Sequence, residues 1–133
     1  MAVNKQYQAY QNNAVNTASG GQLTLMLYNG CIKFINQAIK DINEKNHEGK
    51  NTHIQKAQDI IQELMITLNQ EVEISKQMLP LYEFTYHQLQ EGNIKNDVKH
   101  LEEAVEFVTS FRDTWKEVIK SAGSQQYAQG AKV

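Results

Sequence analysis

The longest run of helix-patterned apolar residues lies at residues 19–42. Its apolar positions form two adjacent stripes at spacings of three and four: Leu23, Leu27, Phe34, Ala38 and Ile42 in one, and Leu25, Ile32, Ile35 and Ile39 in the other. A helix with this much apolar surface needs neighbours around most of its circumference. Ser19 and Gln22 have the S-x-x-Q spacing of a helix N-terminus. The pattern therefore predicts a central helix around which the remaining chain packs.

Asn29 and Gly30 allow a different interpretation of the same residues. Asn-Gly is the strongest short signal for a β-hairpin, and strand-like runs flank it here. An isolated two-stranded hairpin is only marginally stable, however, and no later segment supplies further strands. We favour the helix. Gly30 then lies mid-helix, at a cost of about 1 kcal/mol relative to alanine, and marks a close approach of backbone, either inside the bundle or to a partner.

Three further amphipathic segments follow. The second helix is predicted to begin at Asn51 or Thr52 and run to about Glu73, with the seam Ile54, Ala57, Ile61, Leu64, Leu68 and Val72. The third helix is predicted over residues 79–91, because proline at position 80 is tolerated in a first turn. Gly92 and Asn93 are expected to end it.

The fourth helix is predicted to be capped by Asn96 or Asp97, and its seam is Leu101, Val105, Val108, Trp115 and Ile119. Four such segments, joined by connections of roughly 5 to 12 residues, predict an all-α fold, an antiparallel up-and-down four-helix bundle. The bundle is expected to occupy residues 19–120.

The two ends of the chain lack a core of their own. Residues 1–18 form a loose N-terminal arm rich in Asn and Gln, in which Tyr7, Tyr10 and Ala14 are spaced for one helical face. We expect this arm to cover part of an apolar groove when no partner is bound. Residues 121–133 are Gly-rich and polar, which predicts a disordered C-terminal tail.

Composition excludes several classes of function. The net charge of -2, from 13 basic and 15 acidic residues, provides no positive field for nucleic acid. No run of 18 apolar residues spans a bilayer, and the N-terminus lacks the apolar middle of a signal peptide, so we expect a cytoplasmic protein without membrane insertion. The single Cys31, in an apolar helix, is expected to be a buried thiol rather than a nucleophile.

Residues for catalysis or metal binding are scattered. A di-iron bundle needs Glu-x-x-His on two helices, and the only match, Glu44 to His47, falls in a polar connection. The histidines do not pair at helical spacing, and Glu102, Glu103 and Glu106 lie on a solvated face. No phosphate-binding loop or nucleotide fingerprint occurs. We therefore expect no catalytic residue, no metal and no cofactor, and rank a small metalloenzyme last.

The first and third helices carry more apolar and aromatic surface than one core face uses. In the third helix this surplus comprises Leu81, Tyr82, Phe84, Tyr86 and Leu89. A well-filled core accounts for any one of these residues, but together they suggest an exposed groove for an amphipathic helix. The candidate partner-binding residues are Tyr7, Tyr10, Leu25, Tyr28, Gly30, Ile32, Tyr82 and Tyr86.

Several stretches resemble one protein family. They include the tyrosine arm followed by Asn-Thr-Ala-Ser at 16–19, Leu-Thr-Leu-Met-Leu-Tyr-Asn-Gly at 23–30, Ile-Ile-Gln-Glu-Leu at 60–64, Gly-Asn-Ile-Lys-Asn-Asp at 92–97 and Phe-Arg-Asp-Thr-Trp-Lys at 111–116. On these the chain resembles flagellin-export chaperones of the FliS family, over nearly its whole length apart from the tail. It departs from the family's usual pattern at Gly20, Asn29 and Pro80.

The resemblance implies a cytoplasmic helical bundle that binds the C-terminal region of flagellin, prevents premature polymerisation and delivers it to the flagellar export apparatus. It implies no catalysis and no cofactor. The expected partners are the flagellin C-terminal helices and, with the client bound, the flagellar export gate. The free protein is expected to be a monomer or weak dimer. The main alternative from the residues themselves is a structural homo-oligomeric bundle that uses its surplus apolar face to bind itself.

Overall fold

The computed structural model describes residues 20–68 and 73–131, with side-chain environments for residues 21–68 and 73–121. It has four helices, α1 (Gly20–Asn43), α2 (His47–Thr67), α3 (Glu73–Lys95) and α4 (Val98–Ala131). Both α1 and α3 pack against α2 and α4, which places α1 and α3 on a diagonal. The predicted all-α antiparallel four-helix bundle is confirmed. The hairpin at Asn29 and Gly30 is wrong, because both residues lie inside α1.

The core contains much of the predicted seams of α2 and α4. The helices α1, α2 and α4 contribute buried apolar side chains at spacings of three and four, whereas α3 contributes Tyr82 and Leu89, seven residues apart. Burying a large apolar side chain is worth about 1.5–3 kcal/mol. The most deeply buried are Cys31, Ile35 and Ala38 from α1, Ile54, Ala57 and Ile61 from α2, Leu89 from α3, and Leu101, Ala104 and Val108 from α4. Hydrophobic periodicity thus identified the inward faces of α2 and α4.

The second helix begins earlier than predicted. Asn46 caps α2 by accepting a hydrogen bond from the backbone N–H of Gly49 at 3.0 Å, so the predicted start at Asn51 or Thr52 is wrong. The chain reverses at Lys45, whose φ is 61°. A Cβ on Gly49 would lie 2.6 Å from Nδ2 of Asn46, so glycine permits this tight cap. The connection between α1 and α2 is therefore only three residues long.

The third helix is longer than predicted at both ends. It begins at Glu73, six residues before the expected start, and Pro80 lies inside it rather than in its first turn. Proline removes one backbone hydrogen bond there, but its position is exposed and water can reach the freed carbonyl. Gly92 is also interior. The second helix, by contrast, is shorter than predicted at its C-terminal end: α2 ends at Thr67 rather than at about Glu73.

The connection between α3 and α4 is a tight cap. Asn96 adopts a left-handed φ of 51°, and the N–H of Asp97 donates to the carbonyl of Gly92 at 3.1 Å. Asp97 then caps α4 by accepting from the N–H of Lys99 at 2.9 Å, which confirms one of the two predicted caps. Lys50 of α2 is buried and donates to the carbonyl of Asn93 at 3.0 Å. This cation supports the negative end of the α3 dipole.

The last helix continues beyond the expected end of the bundle. The sequence predicted a disordered tail from Ser121, whereas the α4 backbone is helical to Ala131. Adding a residue to an existing helix gains one hydrogen bond per residue ordered, which favours continuation once the bundle has formed the preceding turns. More than four turns before this end, Nε1 of Trp115 donates to the carbonyl of Gly21 at 2.8 Å and joins α4 to the start of α1.

Candidate functional site

Two of the predicted site residues meet inside the bundle. The hydroxyls of Tyr28 on α1 and Tyr82 on α3 lie 2.6 Å apart and share a hydrogen bond across the diagonal. Each tyrosine is 3% exposed. Phe111 of α4 packs against both rings, at centroid distances of 6.1 Å and 5.4 Å. A bound partner would not touch these buried side chains, so they can influence binding only through the packing of the helices that carry them. Their role in binding stays a prediction.

The buried tyrosine pair leads to a prediction for alkaline stability. Burial raises the pKa of both hydroxyls, and the neighbouring Tyr28 raises the pKa of Tyr82 further. Unfolded tyrosine ionises near pH ~10, so the stability from the neutral pair is complete below that pH and is lost as the pH rises above it. The urea midpoint should therefore fall more steeply above pH ~10 in the native chain than in a Tyr28→Phe, Tyr82→Phe double variant. Equal slopes, measured by circular dichroism, would contradict this.

The other predicted site residues lie in three places. Leu25 and Ile32 are half-buried on α1, seven residues apart and therefore on one face. Tyr86 is half-buried on α3, and its hydroxyl accepts a 3.4 Å hydrogen bond from Nε2 of Gln62 on α2. Tyr7 and Tyr10 lie outside the described residues, as does the Ser19 cap. The structure thus brings together only Tyr28 and Tyr82.

Gly30 lies at the crossing of α1 and α2. A Cβ at this position would meet Cδ1 of Ile60 at 3.4 Å, which is ordinary van der Waals contact. Gly30→Ala should therefore fit and stabilise the chain by about 0.5–1 kcal/mol through helix propensity. Gly49→Ala is the contrasting control, because its Cβ would clash with the Asn46 cap. Thermal melting of both variants tests the pair, and a destabilised Gly30→Ala would contradict the prediction.

Several exposed apolar side chains of the described residues lie where α3 meets α4. On α3 these are Ile74, Leu81 and Phe84, which are 57%, 37% and 39% exposed, and on α4 Val118 is 46% exposed. Phe84 contacts Phe107 of α4 edge to face at 5.3 Å. We call these five residues the α3–α4 seam. Exposed apolar groups are common singly, but several along one flank of a bundle suggest an interaction surface.

Two contacts establish the register of the seam. Nε2 of Gln88 donates to Oε2 of Glu103 at 2.7 Å, and one turn further along Phe84 meets Phe107. As the α3 number falls by four, the α4 number rises by four, so the helices are antiparallel. Continuing this register places Leu81 opposite residue 110 and Ile74 opposite residues 117–118. From the Gln88–Glu103 contact to Val118 this flank of the bundle is therefore about 22 Å long, at 1.5 Å per residue.

Sequence reasoning missed most of this surface. The predicted surplus of apolar and aromatic residues includes Leu81 and Phe84 but leaves out Ile74, because the predicted third helix begins at residue 79. Positions 74, 81 and 84 share one face once α3 is extended, so the signal was present in the spacing. Periodicity shows which residues share a face, but not whether the rest of the described chain covers that face.

Reactive groups do not converge on a site among the described side chains. No group of three His, Cys, Asp or Glu within residues 21–68 and 73–121 could hold a metal ion. Cys31 is fully buried, and burial raises the pKa of its thiol, as expected of a packing residue. His53 hydrogen-bonds Asp41, and Nδ1 of His100 donates to Oε1 of Gln88 at 2.7 Å. None of the described helices is long and apolar enough to cross a membrane.

Comparison with known proteins agrees with this geometry. A family described as "Flagellar protein FliS" matches residues 3–122. The chain is 48% identical over 130 residues to the flagellar secretion chaperone FliS of Bacillus subtilis (strain 168), covering 98% of each protein. It is 31% identical over 112 residues to the protein of that name from Escherichia coli (strain K12), covering 82% of each.

One solved structure has a similar fold. It is described as "Crystal structure of flagellar chaperone from bacteria" and superposes with a TM-score of 0.72 over 88% of this chain and 97% of that one. At 19% identity this likeness concerns the fold alone. The family match covers far more than half of the chain and extends to both sides of the seam. The chain therefore belongs to the FliS family of flagellar secretion chaperones.

Proposed function

We propose that this chain is a cytoplasmic export chaperone that binds the C-terminal region of flagellin. It would prevent premature polymerisation and deliver the client to the flagellar export apparatus, without catalysing a reaction. The observation that carries the proposal is the FliS family match over residues 3–122. The exposed apolar surface of the α3–α4 seam supports it, because a holding chaperone needs such a surface and an enzyme of this size does not.

The physical task explains the seam. A flagellin terminus that assembles through helices exposes an apolar stripe while it is monomeric. A groove between two helices can accept such a stripe as an amphipathic helix. Ordering a disordered client costs about 2–5 kcal/mol or more of the gross interaction energy. That cost keeps binding reversible, and reversibility is what release at the export gate requires.

The half-buried α1 residues give the proposal a second surface. Leu25 and Ile32 lie on the helix that neighbours α4 on its other side. A client could therefore lie on either flank of α4, and Tyr7 and Tyr10 of the arm remain proposed contributors. Tyr28, Gly30, Tyr82 and Tyr86 are proposed to act by shaping the helices that carry these surfaces.

Binding of flagellin by the isolated chain tests the proposal. A peptide of the flagellin C-terminal segment should bind the chain in calorimetry and gain helicity in circular dichroism, whereas the N-terminal segment should not. A tagged chain should retain flagellin from cells. Light scattering on the free chain addresses the alternative: a monomer or weak dimer is expected. An obligate tetramer that does not bind flagellin would favour the structural homo-oligomer.

A further inference from the structure

Gln88 is a polar side chain buried between α3 and α4, with 7% of its surface exposed. Its amide oxygen lies 2.7 Å from Nδ1 of His100, and its amide nitrogen lies 2.7 Å from Oε2 of Glu103. Only the NH₂ group can donate to a carboxylate, so the amide oxygen accepts the hydrogen bond from His100. The two bonds together fix the amide in one orientation, with its donor at Glu103.

Glu103 is the exposed end of this chain of hydrogen bonds. The Gln88 amide occupies one of its carboxylate oxygens, and the second oxygen can accept further hydrogen bonds. Among the described residues, no lysine or arginine forms a salt bridge with Glu103. The fold therefore holds in place a carboxylate whose charge no described cation pairs with.

The Glu103 carboxylate lies beside the aromatic pair of the α3–α4 seam. Gln88 is one turn after Phe84 on α3, and Glu103 is one turn before Phe107 on α4. The Gln88–Glu103 hydrogen bond and the ring contact at 5.3 Å are therefore consecutive contacts across the same two helices. A long side chain that lies on the rings can reach the carboxylate, because one turn is only about 5.4 Å along the helix axis.

We propose that Glu103 is a specificity-determining residue of the seam and binds a lysine or arginine side chain of the client helix. The methylene stem of that side chain packs at the edge of the aromatic pair, and its charged head reaches Glu103. A helix without such a residue covers Phe84 and Phe107 but leaves the carboxylate partly desolvated and unpaired, which is unfavourable. The inference rests on the proposed function, because it names the side chain by which the same client is recognised.

The hydrogen bond from Gln88 is what makes this contact worth more than an ordinary surface ion pair. An exposed ion pair usually contributes little, because ordering two flexible side chains costs entropy and water screens the charges. The Glu103 carboxylate is already ordered by a buried donor, and a client lying on the adjacent rings would exclude water from the pair. Glu103 should therefore contribute more to affinity than its exposed neighbour Glu102.

A double-mutant cycle between the chain and the flagellin C-terminal peptide tests the pairing by calorimetry. Glu103→Gln keeps an oxygen that accepts from Gln88 but removes the charge, and in the peptide each lysine and arginine is replaced by glutamine in turn. Glu103→Gln should weaken binding of the native peptide by about tenfold at low ionic strength, and by less at high salt. Replacing one basic residue of the peptide should cause a similar loss with the native chain and little further loss with the Glu103→Gln chain.

Glu102→Gln is the matched control. Glu102 is an exposed carboxylate on the same helix, and at 3.6 residues per turn it lies about 100° around α4 from Glu103. This variant removes the same charge without touching the Gln88 contact, so peptide affinity should change by less than about twofold. Thermal melting of both variants should match the native chain, because neither substitution alters a buried group.

Gln88→Met tests whether the buried amide positions the carboxylate. Methionine has a similar length and no hydrogen-bond donor, so the interior stays filled while Glu103 is released. The peptide should still bind the aromatic pair, but the coupling between Glu103 and the basic residue of the peptide should largely disappear. Full coupling in a merely destabilised Gln88→Met chain would show that Gln88 only packs, and would overturn its positioning role.

Other outcomes overturn the inference in distinguishable ways. Equal affinities of the native and Glu103→Gln chains for the native peptide would show that the carboxylate is outside the client site, and would leave the proposed function standing. A loss as large in the Glu102→Gln control, or additive losses in the cycle, would show a general effect of charge and no specific pair. No binding of the peptide to the native chain would overturn the proposed function itself, and the pairing with it.

Discussion

Replacing Phe84 by aspartate should weaken binding of the flagellin C-terminal segment by about 100-fold or more while the bundle stays folded. Phe84 is half-exposed and contacts Phe107 from its outer side, so the bundle loses little when the ring is removed. In the proposed complex the same position lies under the client's apolar stripe. An unpaired carboxylate buried there costs several kcal/mol, and about 2.8 kcal/mol already corresponds to 100-fold in affinity.

Two further variants sharpen this experiment. Ile94→Asp is the matched control, because Ile94 is 69% exposed on α3 but lies outside the α3–α4 seam; it should bind normally. Ile32→Asp probes the other flank of α4. Calorimetry gives the affinities and thermal melting gives the stabilities. If Phe84→Asp binds as the native chain while Ile32→Asp does not, the client lies against α1 and the seam assignment is wrong.

Leu101→Ala should destabilise the chain by about 2–5 kcal/mol, the usual cost of removing a fully buried leucine. Its neighbour Gly92 makes the experiment more informative. A Cβ on Gly92 would lie 2.7 Å from Cδ2 and 3.0 Å from Cγ of Leu101. Because Leu101 has no room to move, Gly92→Ala alone should also destabilise, by about 1–3 kcal/mol, despite alanine's better helix propensity.

In a chain that already carries Leu101→Ala, the Gly92→Ala substitution should raise stability instead of lowering it. Once Leu101 is shortened, the new methyl at position 92 fills part of the cavity and alanine's helix propensity is gained. Gly92→Ala in the Leu101→Ala background should therefore stabilise by about 1 kcal/mol. Urea denaturation of the four proteins measures the cycle. Additive losses would mean that the Asp97 carbonyl, 3.3 Å from the same Cβ, is the limiting contact instead.

The existence of the four helices, and the inward faces of α2 and α4, were predicted from the sequence. Ile54, Ala57 and Ile61 are buried in α2, and Leu101 and Val108 in α4, as their spacing predicted. This works because apolar periodicity is a local property of the chain, and a bundle is the way to bury four such stripes together. The burial of Cys31 was predicted for the same reason. Cys31 lies on the inner stripe of the most apolar helix.

Helix ends were predicted less well, because each depends on contacts outside the local pattern. Pro80 suggested the start of a helix, yet α3 passes through it, since packing of α3 against two helices outweighs one lost hydrogen bond. Asn46 was not recognised as a cap because its partner is Gly49, a residue typical of loops. Gly92 looked like a stop signal, but it is needed for close packing against Leu101.

The sequence alone determined the helices, the inner faces of α2 and α4 and the family resemblance, because all three depend on which residues occur at short spacings along the chain. Only the tertiary structure decided which apolar residues remain uncovered. Tyr82 and Phe84 are two residues apart and equally aromatic, yet Tyr82 is buried against Tyr28 and Phe84 is open to solvent. The physical reason is that exposure depends on the neighbours a face meets after folding. Among the described residues, no further helix covers the outer flank of α3 and α4.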